Sequence, residues 1–285
     1  SLHGGSEAGL IQMSQPLGIY IHVPFCLAKC HYCAFVSQAG AEELQSPYVA
    51  ALCSEIIAAG GDFDLSAMPV DTVFFGGGTP TVLATSELIR ILKTIQTTFF
   101  LTADAEISIE ANPGTVSAKQ LEKLRSAGFN RLSIGVQSFD NKVLAAAGRI
   151  HQAAEAENTL RQAREAGFDN LSLDLMYGLP GQTKASWLDT LLRATELRPD
   201  HLTVYGLKVE EGTPLARAVQ AGNTVLPSEE DEEAMYDAME AFLPQRGYVR
   251  YEISNYARPG NECRHNLKYW RYLPYRGFGV AAHSF

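Results

Sequence analysis

Six short apolar runs, each followed by a stretch with helical spacing, constrain this chain of 285 residues more than any other feature. The runs lie at residues 18–23, 70–75, 105–111, 131–136, 170–176 and 201–207 and read as strands. The stretches after them, at 47–59, 85–97, 117–127, 153–166, 184–196 and 228–243, read as helices; Leu88, Ile91, Leu92 and Ile95 form one apolar face. Ser117 with Gln120 makes a capping box, Gly128 and Gly167 stop their helices, and Ser228 caps the last. Alternating strands and helices return the chain to the same end each time, so the sheet is parallel. Six units are fewer than the eight of a closed barrel. The expected architecture is therefore an α/β fold, a partial (β/α)6 TIM-like barrel with active residues at the C-terminal ends of its strands. Residues 1–16, without Met at position 1 and carrying Gly4-Gly5 and Gly9, read as a flexible leader; 17–245 form the barrel, and 246–285 an extension that closes it.

Just after the first strand lies Cys26-Leu27-Ala28-Lys29-Cys30-His31-Tyr32-Cys33. This C-x3-C-x2-C spacing offers three thiolates to one soft metal centre, one fewer than a closed zinc site or an ordinary iron–sulfur cluster takes. An open metal corner follows. A disulfide framework fits poorly with five cysteines in 285 residues, three of them clustered, and no secretory segment is visible. That favours a reducing, cytoplasmic compartment. A zinc knuckle lacks its fourth ligand, since His31 inside the cluster is badly placed to close the shell. Cys53 and Cys263 stand alone and read as small buried hydrophobes.

The net charge of -9 argues against nucleic-acid binding by phosphate neutralisation. No apolar run is long enough to cross a bilayer, so membrane contact is at most peripheral.

The strand ends carry the remaining polar chemistry. Gly76-Gly77-Gly78-Thr79-Pro80 follows the second strand, where glycines either let a ligand approach the backbone or simply make a turn. Glu110-Ala111-Asn112-Pro113-Gly114 follows the third; its carboxylate suits the paired hydroxyls of a ribose, and a solvated turn acid would look the same. Gln137 ends the fourth strand, with Arg149 twelve residues on. Asp174, inside Leu173-Asp174-Leu175, is costly to bury without a partner.

Together with Tyr20-Ile21-His22-Val23-Pro24-Phe25-Cys26, Leu132 to Phe139 and Asp174 to Thr183, these motifs resemble the radical S-adenosylmethionine (SAM) superfamily. Within it they are similar to the branch of oxygen-independent coproporphyrinogen III oxidase and its relatives, from about Leu17 to Phe285. The resemblance implies the radical SAM fold, with Cys26, Cys30 and Cys33 on a [4Fe-4S] cluster whose fourth iron chelates SAM. It further implies that Tyr20 and Tyr32 border the cofactor, that Gly77, Gly78 and Thr79 meet its methionyl end, and that Glu110 holds the ribose. Gln137, Arg149 and Asp174 correspond to positions that hold a second SAM in the oxidase, or here support the barrel mouth; His283 lines the same region.

Two details divide the branch. The oxidase motif runs on to a fourth cysteine, C-x3-C-x2-C-x-C, and here that position is Phe35. Cys263-Arg264-His265-Asn266-Leu267-Lys268-Tyr269-Trp270 carries an H-N-x-x-Y-W pattern that resembles the HemW-type haem chaperones. There His265 would offer an imidazole to haem iron, with Tyr269 and Trp270 over the porphyrin and Cys263 as an alternative ligand; a buried aromatic patch closing the barrel is the structural reading of the same residues. Ala281 stands where the family's G-F-G-x-G-A-H-S run has glycine, and the family's separate C-terminal domain is missing from residues 1–285. The expected function is thus a haem chaperone that delivers haem to an acceptor protein and takes electrons from a donor. The alternatives are oxidative decarboxylation of coproporphyrinogen III and a radical methyltransferase using two SAM molecules.

Overall fold

Residue alternation along the first strand sets the plan of the fold. In β1 (Leu17–Val23), Leu17, Ile19, Ile21 and Val23 are buried against helices, while Gly18, Tyr20 and His22 point to the other face. The computed structural model describes residues 15–285, so the expected leader lies outside it except for its last two residues. After β1 come α1 (Glu42–Ala59), β2 (Val70–Gly77), α2 (Thr85–Thr98), β3 (Leu101–Ala111), α3 (Ala118–Ala127) and β4 (Arg131–Gln137). The second half holds α4 (Ala153–Glu165), β5 (Asn170–Tyr177), α5 (Lys184–Glu196), β6 (His201–Gly206) and α6 (Glu229–Gln245). Short helices at Asn141–Ala146 and Pro214–Gln220 lie between these units.

The six units form as their spacing predicts, with two shifts. Helix α1 starts at Glu42, not at residue 47; Pro47 sits inside it, in the second turn, where its missing N–H takes one i→i−4 bond from the helix. Strand β3 starts at Leu101, four residues early. The capping box of Ser117 and Gln120 and the left-handed Gly128 bound α3 as read.

The last forty residues add β7 (Val249–Arg250), β8 (Asn255–Ala257), α7 (Arg264–Trp270) and β9 (Tyr275–Phe278). They complete both edges of a single nine-stranded sheet, ordered β9-β1-β2-β3-β4-β5-β6-β8-β7. Every pairing from β9 to β6 is parallel, and β8 and β7 are antiparallel. The sheet is an open, partial barrel with its helices outside. Among the described residues no helix is long and apolar enough to cross a membrane.

Alternation gives this barrel a polar interior. Glu106, Ser108 and Glu110 share one face of β3, Arg131 and Ser133 one face of β4, Ser172 and Asp174 one face of β5, and His201, Thr203 and Tyr205 one face of β6. Register aligns them, with Glu110 opposite Ser133 and Asp174 opposite Thr203. Helix α7 floors this interior. The Glu106 carboxylate accepts from the backbone N–H groups of Arg264 and His265, both at 3.1 Å, which satisfies the start of the helix and sets an anion at its positive end.

Candidate functional site

The cysteine loop is tied down on several sides. Phe25–Cys26 pairs in parallel with Gln38–Ala39, His31 N–H donates to the Ala147 carbonyl at 3.2 Å, and the Lys29 ammonium donates to the Phe35 carbonyl at 3.0 Å. All three thiols are free and partly exposed, and they line one cavity. Gly78 forms its wall: a Cβ there would lie 2.5 Å from the Phe25 carbonyl oxygen and 3.0 Å from Cys26 Sγ. Burial raises the Cys33 thiol above its ordinary value. Among the described residues no three His, Cys, Asp or Glu side chains converge as the ligands of a single ion do; a cubane instead takes each thiolate on a separate iron. Three soft donors around one glycine-walled cavity are a donor set that fits such a cluster.

A hydrogen-bonded chain of residues lining the cavity joins two of the thiols. Arg149 donates to Cys30 Sγ at 3.2 Å, to Asn112 Oδ1 at 2.7 Å and to the Gly135 carbonyl. Asn112 donates to Thr79 Oγ1 at 2.8 Å, and Thr79 reaches Cys26 Sγ at 3.8 Å. The Arg149 Nε is buried without a partner among the described residues. Gly135 leaves room for this chain, since a Cβ there would meet Asn112 Oδ1 at 2.7 Å. Gln137 accepts from the Tyr205 hydroxyl at 3.1 Å and holds φ +66, a left-handed conformation at the site itself.

Glu110 and Asp174 face the same cavity. Desolvation, then the charge of Asp174, pushes the Glu110 carboxyl up to about 8, partly offset by the Gly77 N–H and Arg131. Burial likewise raises Asp174, against a hydrogen bond from Ser133 at 2.9 Å. A raised carboxyl keeps its proton in the folded chain while the unfolded chain releases it near 4.5. Its contribution to stability is therefore complete below that value and is lost as pH rises towards about 8. Glu110→Gln cannot ionise, so its melting temperature is expected to fall less than that of the ligand-free wild type on going from about pH 5 to about pH 8. Parallel pH profiles for the two proteins would contradict this.

Two further cavities adjoin the first. One, of about 390 Å³, is the barrel interior, lined by Tyr20, Phe74, Arg131, His201, His265 and Tyr269 among others. The other, of about 450 Å³, opens beside β1 and is lined by Tyr20, His22, Phe35, Tyr269, Tyr275 and His283 among others. Phe35 lines all three.

The structure thus brings Cys26, Cys30, Cys33, Tyr32, Gly77, Gly78, Thr79, Glu110, Gln137, Arg149 and Asp174 to one cavity, with Tyr20 and His283 on its neighbours. The haem-motif residues separate. His265 is 1% exposed; its Nδ1 pairs with the Thr72 hydroxyl at 2.8 Å and its Nε2 with the Tyr269 hydroxyl at 2.9 Å. Burial lowers its pKa to about 3. Trp270, expected over a porphyrin with Tyr269, lines none of the three cavities and is half-exposed. One helical step of about 100° from Tyr269 turns it away from the face that His265 and Tyr269 share. Cys263 is buried and donates towards Glu106 at 3.6 Å, and burial pushes its thiol up to about 12. Asn112, Gly135, Arg131, Ser133, Thr203 and Tyr205 went unread as site residues. For Arg131, Ser133, Thr203 and Tyr205 the signal is a polar residue at every second position in strands otherwise rich in Leu and Ile; Gly135 within β4 and Asn112 just past β3 fall on the same alternation.

Comparison with known proteins identifies the family. Residues 20–194 match the radical SAM superfamily. A protein of Synechocystis sp. named heme chaperone HemW is 41% identical over 276 residues, covering 95% of this chain and 66% of its own. The Escherichia coli protein of the same name is also 41% identical over 276 residues, covering 94% of this chain and 70% of its own. Among solved structures, coproporphyrinogen III oxidase (HemN) from Escherichia coli, a radical SAM enzyme, superposes with a TM-score of 0.83 at 32% identity, over 95% of this chain and 65% of that one. The chain spans about two thirds of the length of these relatives. It belongs to the radical SAM superfamily, in its HemW branch.

Proposed function

We propose that this protein is a haem chaperone built on a radical SAM barrel, which binds haem beside a cluster and SAM and passes haem to an acceptor protein. The observation that carries the reading is Phe35. It occupies the position where the oxidase pattern has a fourth cysteine, is 70% exposed, and lines all three cavities. An aromatic face there suits a porphyrin plane, where a thiol would suit redox or ligand chemistry. The name shared by the relatives from Synechocystis and Escherichia coli supports the same reading.

Membership of the superfamily implies a [4Fe-4S] cluster and SAM. In our reading Cys26, Cys30 and Cys33 would hold the cluster, Gly77, Gly78 and Thr79 would meet the methionyl end of SAM, and Tyr20 and Tyr32 would border it. When bound and reduced, the cluster supplies the electron that cleaves a sulfonium. Arg149, Asn112 and Thr79 hold Cys30 and Cys26 in position. Glu110 accepts the ribose hydroxyls, and accepting them favours its ionised form. Gln137, Arg149 and Asp174 border room for a second SAM or brace the mouth. An electron donor and a haem-acceptor protein are the implied partners. A cytoplasmic setting accords with five free cysteines among the described residues.

The test is anaerobic. Reconstituted protein is incubated in parallel with haem and with coproporphyrinogen III plus SAM and a reductant. Stoichiometric, transferable haem without decarboxylated porphyrinogen is expected. Decarboxylation at catalytic rates would sink the chaperone reading in favour of the oxidase.

A further inference from the structure

We infer that His283, and not His265, is the imidazole that meets haem iron, in the aromatic cavity beside β1. The inference rests on the haem-chaperone reading and names its ligand site. Haem iron takes a nitrogen lone pair that nothing else occupies. His265 has none to offer, because both ring nitrogens are engaged in the barrel floor. Freeing either nitrogen would break a hydrogen bond that anchors α7, to Thr72 through Nδ1 or to Tyr269 through Nε2, in a helix whose entry Glu106 caps.

The other described histidines fare no better. His22 lines the same aromatic cavity, but its nitrogens pair with the Tyr20 hydroxyl at 3.1 Å and the Val36 carbonyl at 2.9 Å. His201 pairs with Ser172 and Tyr251, both at 2.8 Å. His151 is buried against the Val136 carbonyl at 3.1 Å. His31 packs on Gly148 and lines none of the three cavities. Among the described residues His283 alone combines an exposed position, no hydrogen bond to its ring, and a place on the wall of an open cavity.

That wall is suited to a porphyrin. Tyr20, Tyr269, Tyr275 and Phe35 supply aromatic surface, with Tyr269 and Tyr275 edge to face at 4.7 Å. The segment carrying His283 is braced on both sides. Ala282 N–H donates to the Gly279 carbonyl at 3.2 Å, Gly277 N–H to Ser284 Oγ at 3.0 Å, and Phe285 N–H to the Tyr275 carbonyl at 2.9 Å. Ala281 turns the chain there at φ +60, a conformation that glycine adopts without strain. A ligand on a braced, solvent-facing turn holds haem by an accessible edge, which a protein that must give haem away requires.

The test titrates ferric protoporphyrin IX into the full chain and follows the Soret band and the spin state by electron paramagnetic resonance. His283→Ala is expected to shift both signatures and weaken binding about tenfold, and added imidazole to restore the wild-type spectrum. His265→Gln is expected to lower the melting temperature and keep the wild-type spectrum. Wild-type affinity and spectrum in His283→Ala would overturn the assignment while leaving the chaperone reading intact. So would loss of the imidazole-ligated spectrum in a folded His265→Gln. A wild type that takes up no stoichiometric haem would overturn the chaperone reading itself, and the assignment with it.

Discussion

Gly78→Ala is expected to retain the iron–sulfur cluster about thirtyfold less well than the wild type after anaerobic reconstitution at limiting iron, from ~2 kcal/mol of overpacking. The added methyl has nowhere to go. It meets the Phe25 carbonyl oxygen at 2.5 Å and Cys26 Sγ at 3.0 Å, and neither is the far end of a flexible side chain. Gly78 N–H donates to the Val23 carbonyl at 2.8 Å and Thr79 N–H to the Phe25 carbonyl at 2.7 Å, so the strand end and the cysteine loop are stitched together at this point. The strain is relieved only if the loop moves away, and a displaced loop misplaces Cys26. Iron and acid-labile sulfide per chain measure the outcome. Full cluster content in the variant would show that the loop adapts freely and that the glycine is an ordinary turn residue.

The largest effect on stability should come from Glu106→Ala. This carboxylate, 6% exposed, accepts two backbone N–H groups at the start of α7 and lies beside the thiol of Cys263. It also contributes to the field that keeps the fully buried Arg131 charged. Removing it strands two N–H donors and leaves the guanidinium with less compensation, a combination that costs about 3–5 kcal/mol. For a chain of this size that corresponds to a fall of roughly 5–8 °C in melting temperature. Glu106→Gln keeps an acceptor and should lose less. If Glu106→Ala melts with the wild type, the floor is held by its aromatic contacts and not by this cap.

Much of the barrel was legible because its physics is local. An apolar run followed by a 3.6-residue apolar stripe identifies a βα unit wherever it falls, and caps such as Ser117 and stops such as Gly128 fix the ends. The cysteine spacing and the glycine run are local as well, so both were legible along the chain; Tyr32, Glu110, Gln137, Arg149 and Asp174 joined them through the family resemblance, and Asn112, Gly135 and Tyr205 of the same cavity did not. The C-terminal forty residues were harder. Strands β7 and β8 span two and three residues, too short for any period to show, and β9 exists only because β1 lies beside it. The fate of His265 also depends on partners 193 residues away in Thr72 and 159 residues away in Glu106. A motif read along the chain shows an imidazole and a phenol four residues apart; only the fold reveals that they bond to each other.

Strand β9 has a bearing on how the molecule is made. It pairs in parallel with β1, so the first strand of the barrel finds one of its two neighbours only when the chain has been synthesised almost to its last described residue. Until then β1 offers a bare edge of backbone donors and acceptors immediately before the cysteine loop. The Tyr48 hydroxyl, which holds the His22 carbonyl at 2.8 Å, also waits for the Val280 N–H that reaches it at 3.2 Å. A ribosome-bound chain ending before residue 275 therefore carries Cys26, Cys30 and Cys33 on an unfinished support. Such a long-range closure is slow and exposed to misassociation, which makes late loading of the proposed metal centre, after β9 has docked on β1, the order of events that this topology favours.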